Sequence, residues 1–372
     1  MTTTRWAWAE INLGAIERNV RTLNALTPSK TLFMAVVKAD GYGHGAVQVA
    51  RAALAGGADQ LGVATVDEAL QLREAGIDEP LQLLSEPPAA AVDLLLDHDI
   101  VPAVTTRDFA LALGKAASER LMIARYHLKV DTGMNRIGVC AKDSPRFAAG
   151  LNGVRGLAME GTFTHFATAD VPGDWDFDRQ LDAFAGAVDA MRTEGVDPGI
   201  VHAANSPATI LHPESHFDMV RCGIAIYGLH PSDATYPVVD LEPAMSVKAR
   251  AVFVKSIGMG EGVSYGLTYR AAAPTVIATL PLGYADGVHR VLSNQMETLV
   301  DGRRAQQVGR VCMDQLMVES PRGAVVRTGD EFVIVGTQGQ ERISVDEVAS
   351  CAGTINYEVA CAFGMRLPRV YV

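Results

Sequence analysis

The amino-acid sequence predicts an α/β fold: a (β/α)8 TIM-like barrel over residues 11–240, then a C-terminal β-rich domain over residues 241–372 that also takes in an N-terminal strand within residues 1–10. Three observations carry this reading. Eight short apolar runs recur through the first two thirds of the chain, each followed by a polar or glycine-containing corner and a segment with helical spacing. The runs are apolar almost throughout, as expected of parallel strands buried on both faces. After about residue 240 the texture changes to apolar–polar alternation with hairpin signals.

The predicted barrel strands are residues 31–38, 60–65, 80–85, 100–105, 126–132, 158–166, 200–206 and 219–227. Eight is the number that closes such a barrel. The corners carry helix chemistry. Thr65-Val66-Asp67-Glu68 reads as a capping box and Gly76 closes its helix, while Gly56 and Gly57 end the one before. Ser206 reads as a cap placed before Pro207, a residue suited to the first helical turn. The first helix is expected over residues 13–26 and the first strand over 6–11. In the second domain, residues 245–255, 275–282, 297–300, 307–311 and 332–335 read as strands, Asp301-Gly302 as a hairpin turn, and Ser344-Val345-Asp346-Glu347 as the start of one late helix. The loop 171–178 carries no signal.

Composition removes several function classes. The 372 residues include 32 Lys and Arg against 43 Asp and Glu, a net charge of −11, so no basic nucleic-acid footprint is expected. Hydrophobic residues at 48% and charged residues at 20% are the balance of a folded, enzyme-sized chain. No apolar run approaches the ~18–20 residues that cross a bilayer. The first eight residues show no secretory signal, and five scattered cysteines without a C-x-x-C pair fit reduced thiols in a cytoplasm, with no metal site.

A barrel enzyme works at the C-terminal ends of its strands, so reactive residues there come first. Lys38 ends the first strand and runs directly into Ala39-Asp40-Gly41-Tyr42-Gly43-His44-Gly45. Three glycines let backbone approach a ligand closely, although the spacing is neither a P-loop nor a dinucleotide fingerprint. Alone, such a lysine is more often a solvated surface charge, and the glycines support only a tight turn. Other strand ends add Lys129, Asp131 and Arg136, then His165, then Asn205 and Ser206, then Arg221, Gly223 and Ile224. Ser206 and the amides beside Gly223 can present donors to an anion such as a phosphate. A lysine, an anion cradle and an arginine in one barrel mouth suggest pyridoxal phosphate, whose aldehyde requires a lysine amine. Spacing alone leaves an unrelated barrel enzyme equally open.

The run Ala35-Val36-Val37-Lys38-Ala39-Asp40-Gly41-Tyr42-Gly43-His44-Gly45 resembles the cofactor-lysine signature of the alanine racemases, the barrel class of pyridoxal phosphate enzymes. The resemblance covers nearly the whole chain, through Lys129-Val130-Asp131-Thr132-Gly133-Met134-Asn135-Arg136, Thr164-His165-Phe166, His202-Ala203-Ala204-Asn205-Ser206, Val220-Arg221-Cys222-Gly223-Ile224, Val263-Ser264-Tyr265-Gly266, Gly283-Tyr284-Ala285-Asp286, Cys312-Met313-Asp314 and Asn356-Tyr357-Glu358. It implies a barrel that carries pyridoxal 5'-phosphate, a C-terminal β domain, and a homodimer in which each active site takes residues from both subunits. The implied reaction is interconversion of L- and D-alanine, an isomerase activity that supplies D-alanine for peptidoglycan; a preference for serine or another small amino acid is the alternative.

The resemblance also implies residue roles. Lys38 holds the cofactor and serves as base for the D-enantiomer, and Tyr265 serves the L-enantiomer from the partner subunit. An amine and a phenol have reference pKa values near ~10.4 and ~10, so such a site must lower them. Tyr42, Ser206, Gly223, Ile224 and Tyr357 are implied around the phosphate, with Asn205 beside them, and His165 by the cofactor ring. Arg221 is implied at the pyridine nitrogen with His202 behind it. A guanidinium donates a hydrogen bond there without giving up its proton, which favours brief proton transfer over transamination. Arg136 is implied at the substrate carboxylate, Met313 against substrate across the dimer, Tyr284 at the access route, and Asp314 behind them. In several family members the lysine matching Lys129 is carbamylated and pairs with the arginine matching Arg136; an ordinary ammonium paired with Asp131 is the other expectation. A related decarboxylase would carry an acidic residue at the place of Arg221, and a non-catalytic carrier of the same barrel class would lack everything after residue 240.

Overall fold

The computed structural model describes residues 5–171 and 173–372; residues 1–4 of the expected N-terminal segment and residue 172 of the loop 171–178 lie outside the described residues. The chain forms two compact units, one of residues 14–41 and 46–242, the other of residues up to 13, 42–45 and 243–372. The segment 42–45, expected in the barrel, therefore groups with the β-rich unit.

The first ten strands in chain order are β1 (Ala7–Ile11), β2 (Leu32–Val36), β3 (Gln60–Val63), β4 (Leu81–Leu83), β5 (Val101–Val104), β6 (Ala124–Asp131), β7 (Val139–Cys140), β8 (Leu157–Phe163), β9 (Ile200–His202) and β10 (Met219–Cys222). Among the described residues of the first unit, eight parallel strands close into a ring: β2 pairs with β3, then β4, β5, β6, β8, β9 and β10, which returns to β2. The short β7 runs beside the end of β6. Every position of β3, β4, β5 and β10 is buried, which is why these runs do not alternate. Each wholly buried Leu, Val or Ile there contributes about 1.5–3 kcal/mol of hydrophobic stabilisation.

The predicted runs 200–206 and 219–227 overshoot their strands, which end at His202 and Cys222. Ala203, Ala204 and Ile224–Tyr227 are apolar and wholly buried, but Ile224–Tyr227 is a 3-10 turn. Hydropathy reports burial, and the barrel mouth is buried without being paired. At the seventh strand the helix cap also differs. Asn205 Oδ1 accepts from the Ala208 amide at 3.2 Å, so Asn205 is the N-cap and Ser206 is the first residue of helix Ser206–Leu211. The Ser206 hydroxyl is thereby left for another use.

After β2 the backbone enters a left-handed turn. Ala39, Asp40, Gly41 and Tyr42 all have φ between 50° and 60°. Each non-glycine residue there costs about 1–2 kcal/mol. Glu68, on the helix Val66–Glu74 capped by Thr65, offsets part of this strain: its carboxylate accepts from the amides of Ala39 at 2.7 Å, Ala64 at 2.8 Å and Thr65 at 3.2 Å. Asp40 Oδ1 accepts from the Ala46 amide at 2.9 Å and so starts the next helix, Ala46–Ala55.

In the second unit β1 pairs with Met245–Arg250 and Arg369–Tyr371, within a sheet that continues through Glu331–Gln338, Glu297–Val300 and Arg303–Gln306. Asp301 and Gly302 both have positive φ and form the predicted hairpin. The expected strand 245–255 is two strands, Met245–Arg250 and Phe253–Ile257, in different sheets. The expected strand 307–311 is absent: Gln307 makes a single bridge to Val318, and the hairpin partner is Arg303–Gln306. Ser344 caps Val345–Ala352 as predicted, while helix Asn356–Ala362 carried no sequence signal. The segment 42–45 lies in this unit because Arg369 donates to Gly43 O at 2.8 Å and to Phe363 O at 2.6 Å. A Cβ on Gly43 would lie 2.4 Å from Ala360 O, so this glycine serves close packing of the protein on itself. Among the described residues no helix is long and apolar enough to cross a membrane.

The clamp at the left-handed turn is testable. Glu68→Ala is expected to destabilise the protein by about 2 kcal/mol, because several amides lose a charged acceptor. Asp67→Ala, one residue away and exposed, should cost no more than about 0.5 kcal/mol. Equal losses in urea denaturation would show that the carboxylate does not support the turn.

Candidate active site

The strand order places five reactive strand ends side by side. Lys38 follows β2; β10 lies beside β2, with Arg221 opposite Met34; β9, β8 and β6 follow in turn around the ring. These strands bring Arg221, His202, Asn205, Ser206, His165 and Lys129 to one end of the barrel.

Arg221 is only 4% exposed, and its two terminal nitrogens are held by four acceptors. They donate to Thr164 O at 2.8 Å, Ala203 O at 2.9 Å, His202 Nδ1 at 3.1 Å and His165 Nδ1 at 3.3 Å. Among the described residues no carboxylate pairs with it. Burial lowers its pKa to about 9, so it remains a cation at neutral pH. The same burial, with the Arg221 charge, holds His165 and His202 well below the ordinary histidine range, and both are neutral. Lys129, Arg136 and Lys38 also push on His165, which places all four cations around one ring. His202 stacks on Phe163 at 4.9 Å and 9°.

Lys129 is 4% exposed, donates to Val130 O at 3.1 Å, and lies 5.2 Å over the Phe163 ring. Burial and the charges of Arg221 and Arg136 push its pKa down to about 7. The expected ion pair with Asp131 is not formed: Asp131 Oδ1 instead accepts from the amides of Gly133 at 3.0 Å and Asn135 at 3.1 Å, shaping the loop that carries the exposed Arg136. Ser206 Oγ accepts from the Gly223 amide at 2.9 Å, inside the protein, with Ile224 next to it. A hydroxyl and main-chain amides thus converge at the mouth, although Ser206 is not the cap that the sequence suggested.

The remaining predicted residues belong to the β-rich unit. Tyr42 is buried with its ring 6.3 Å from that of Tyr357. Tyr265 stands at the tip of the two-stranded ribbon Gly262–Val263 and Tyr269–Arg270 and is 74% exposed. Its neighbours Ser264 and Gly266 have positive φ, and the Ser264 hydroxyl donates to Arg310 O at 2.7 Å, so the tip is anchored while the phenol stands clear. Met313 and Tyr284 are 53% and 42% exposed. The amides of Tyr284 and Ala285 donate to Cys312 O and Met313 O, which sets those two side chains on adjoining turns. Asp314 pairs with Arg366 at 2.6 Å.

Several supporting residues had no role assigned from sequence. Asp286 is wholly buried, accepts from Arg5 at 2.7 Å and from the Gly283 amide at 3.0 Å, and so holds the turn that bears Tyr284. His127, two positions before Lys129 on β6 and therefore on the same face, contacts His202 at 2.8 Å. That two-residue spacing was the available signal for His127. Nothing local marks Arg5 or Arg369.

The chain is similar to known proteins over nearly its whole length. Residues 11–231 match the family model described as alanine racemase, N-terminal domain, and residues 244–371 the one described as alanine racemase, C-terminal domain. The chain is 44% identical to alanine racemase of Desulfovibrio desulfuricans over 99% of its own length and 98% of that protein, and 45% identical to that of Symbiobacterium thermophilum over 99% and 97%. It is similar in structure to alanine racemase from Bacillus anthracis with bound L-Ala-P, with a TM-score of 0.94 at 39% identity covering 100% of this chain and 96% of that one.

The buried lysine amine has a measurable consequence. Its pKa in the fold lies below the reference value, so between about pH 7 and 10.5 the unfolded chain holds a proton that the folded chain has released, and stability rises with pH across that window. In CO2-free buffer Lys129→Met is expected to be more stable than the wild type near pH 7, with the difference shrinking toward pH 10. A difference independent of pH would count against a buried, reluctantly charged amine.

Proposed function

The chain belongs to the alanine racemase family, and on that premise we propose that it interconverts L- and D-alanine with pyridoxal 5'-phosphate held at the barrel mouth. The observation that carries the reading is Arg221: a buried, carboxylate-free guanidinium on the strand beside the one that Lys38 follows. The donor set fits the cofactor. Arg221, Arg136 and the amines of Lys38 and Lys129 act on His165, and the Ser206 hydroxyl lies against the Gly223 amide, so basic groups and small polar donors of the kind a phosphate needs stand at the mouth.

When bound, the cofactor supplies an electron-withdrawing ring that acidifies the α C–H of an amino acid attached to it. This chain's residues do the rest. Lys38 holds the cofactor through its amine. Tyr42, Asn205, Ser206, Gly223, Ile224 and Tyr357 receive the phosphate, and His165 lies by the ring. Arg221 donates to the ring nitrogen and keeps its own proton. The chain thus supplies no acid for that nitrogen, a setting that would favour return of a proton over transamination.

Inversion requires a proton taken from one face and delivered to the other, so two groups are needed. Lys38 acts on one face and Tyr265 on the other. The exposure of Tyr265 and Met313 in the single chain supports a homodimer in which each subunit lends them to its partner's site, because a phenol in bulk water cannot be held against a substrate. Arg136 takes the substrate carboxylate, and Tyr284, held by the Asp286 turn and backed by Asp314, narrows access to small amino acids. Lys129 is suited to carbamylation: its neutral amine attacks CO2, a nitrogen–carbon bond forms, a proton leaves, and the resulting anion can pair with Arg136.

Four outcomes are expected. Purified protein is yellow, and Lys38→Ala loses both the colour and racemisation. Tyr265→Ala selectively loses α-proton abstraction from L-alanine; equal residual exchange from both enantiomers would refute the two-base assignment. Mixing inactive Lys38→Ala and Tyr265→Ala subunits restores about one quarter of wild-type activity, since half of the randomly formed dimers carry one intact site. Activity that stays at the parental level would refute shared sites. For Lys129, 13CO2-equilibrated protein shows a carbamate carbon signal by NMR that Lys129→Met lacks.

A further inference from the structure

A line of polar side chains runs through the barrel interior behind Arg221. Arg221 meets His202 Nδ1 at 3.1 Å; His202 Nε2 meets His127 Nδ1 at 2.8 Å; His127 Nε2 meets Glu160 Oε2 at 3.2 Å. Arg125 closes the line near the N-terminal end of the barrel, donating to Glu160 Oε1 at 2.6 Å and to Asp99 at 2.8 Å. We propose that Glu160, remote from the reacting atoms, is a positioning residue for Arg221: as the acceptor-only end of this line, it fixes which nitrogen of His127 and of His202 carries the proton.

The directions follow from donor and acceptor chemistry. A guanidinium only donates, so His202 Nδ1 must be bare. His202 is neutral, so its proton sits on Nε2 and points at His127 Nδ1, which must also be bare. The proton of His127 is then on Nε2 and faces a carboxylate, which only accepts. The reversed arrangement would set two N–H groups against each other at Arg221. The hydrogen bond from His127 and the Arg125 charge hold the Glu160 carboxyl below its ordinary range against the effect of burial, so it stays ionised. The rings have little freedom to escape. His202 is stacked on Phe163, and a Cβ on Gly161 would lie 2.5 Å from His127 Cε1, so the strand admits this imidazole only because position 161 is glycine. The charged groups facing the line are Arg221, Lys129, Arg125, Glu160 and Asp99.

The inference rests on the reading of Arg221 as the partner of the cofactor ring nitrogen. Its test does not depend on turnover alone. Long-range 1H–15N spectra of holoenzyme labelled at histidine nitrogen should show His127 and His202 both protonated at Nε2 and bare at Nδ1. Glu160→Gln, whose amide can either donate or accept, should populate the reversed tautomers. It should also lower kcat by roughly 10- to 100-fold, the range seen when a carboxylate that orients a functional histidine is removed, while KM for alanine changes by less than about threefold. A wild-type spectrum with either ring protonated at Nδ1 overturns the proposal even if the variant does not fold. So does a folded Glu160→Gln whose tautomers or kcat are unchanged. Failure of the underlying reading shows separately, as an Arg221→Lys variant that keeps full racemisation while the wild-type tautomers are as stated.

Discussion

Burial of one guanidinium governs the chemistry of the barrel mouth. Taking a cation out of water costs several kcal/mol unless its donors are met. The terminal nitrogens of Arg221 donate to two main-chain carbonyls and two imidazole nitrogens, and among the described residues no carboxylate takes part. The charge is therefore satisfied without being cancelled, and it acts on everything nearby. After burial, which is the larger cause, it helps keep His165 and His202 neutral and bring Lys129 close to the point where its amine loses a proton. A carboxylate at the same place would have relieved all three and left a different site.

A second constraint is geometric. Lys38 has to leave a buried strand and turn at once, and the chain does this through successive left-handed residues, two of them with full side chains before Gly41. Such strain persists only where surrounding groups over-determine it. Glu68 takes the first amide of the turn, and Asp40 caps the helix that follows. In the β-rich unit, Arg369 grips the carbonyl of Gly43. The glycines that at first suggest a ligand-hugging loop include one, Gly43, that makes room for the protein's own backbone.

The β-rich unit treats its functional side chains in the opposite way. Its supports are buried and the side chains proposed to work are exposed: Asp286 is wholly buried and paired with the partly exposed Arg5, while Tyr265, Met313 and Tyr284 stand out from anchored turns. An exposed aromatic on a rigid tip is poorly placed for water and well placed for a second surface.

The sequence by itself determined the class of fold and most of the chemistry. Eight apolar runs announced eight parallel strands because burial on both faces leaves a continuous hydrophobic signature, and Thr65 and Ser344 announced their helices because capping is local. Lys38, Arg221 and Tyr265 were singled out through their motifs. Tertiary structure alone decided where strands stop, since the buried mouth segments 203–204 and 224–227 are as apolar as the strands they follow. It also decided that Asn205 rather than Ser206 caps its helix, that Asp131 serves the loop amides rather than Lys129, and that the helix Asn356–Ala362 forms without a marked start. Glu68, Arg369 and the line from His202 to Glu160 join residues 29, 326 and 33 to 75 positions apart. Periodicity and capping describe neighbours along the chain, whereas hydrogen bonds to a buried charge are chosen by whatever the closed barrel brings within 3 Å.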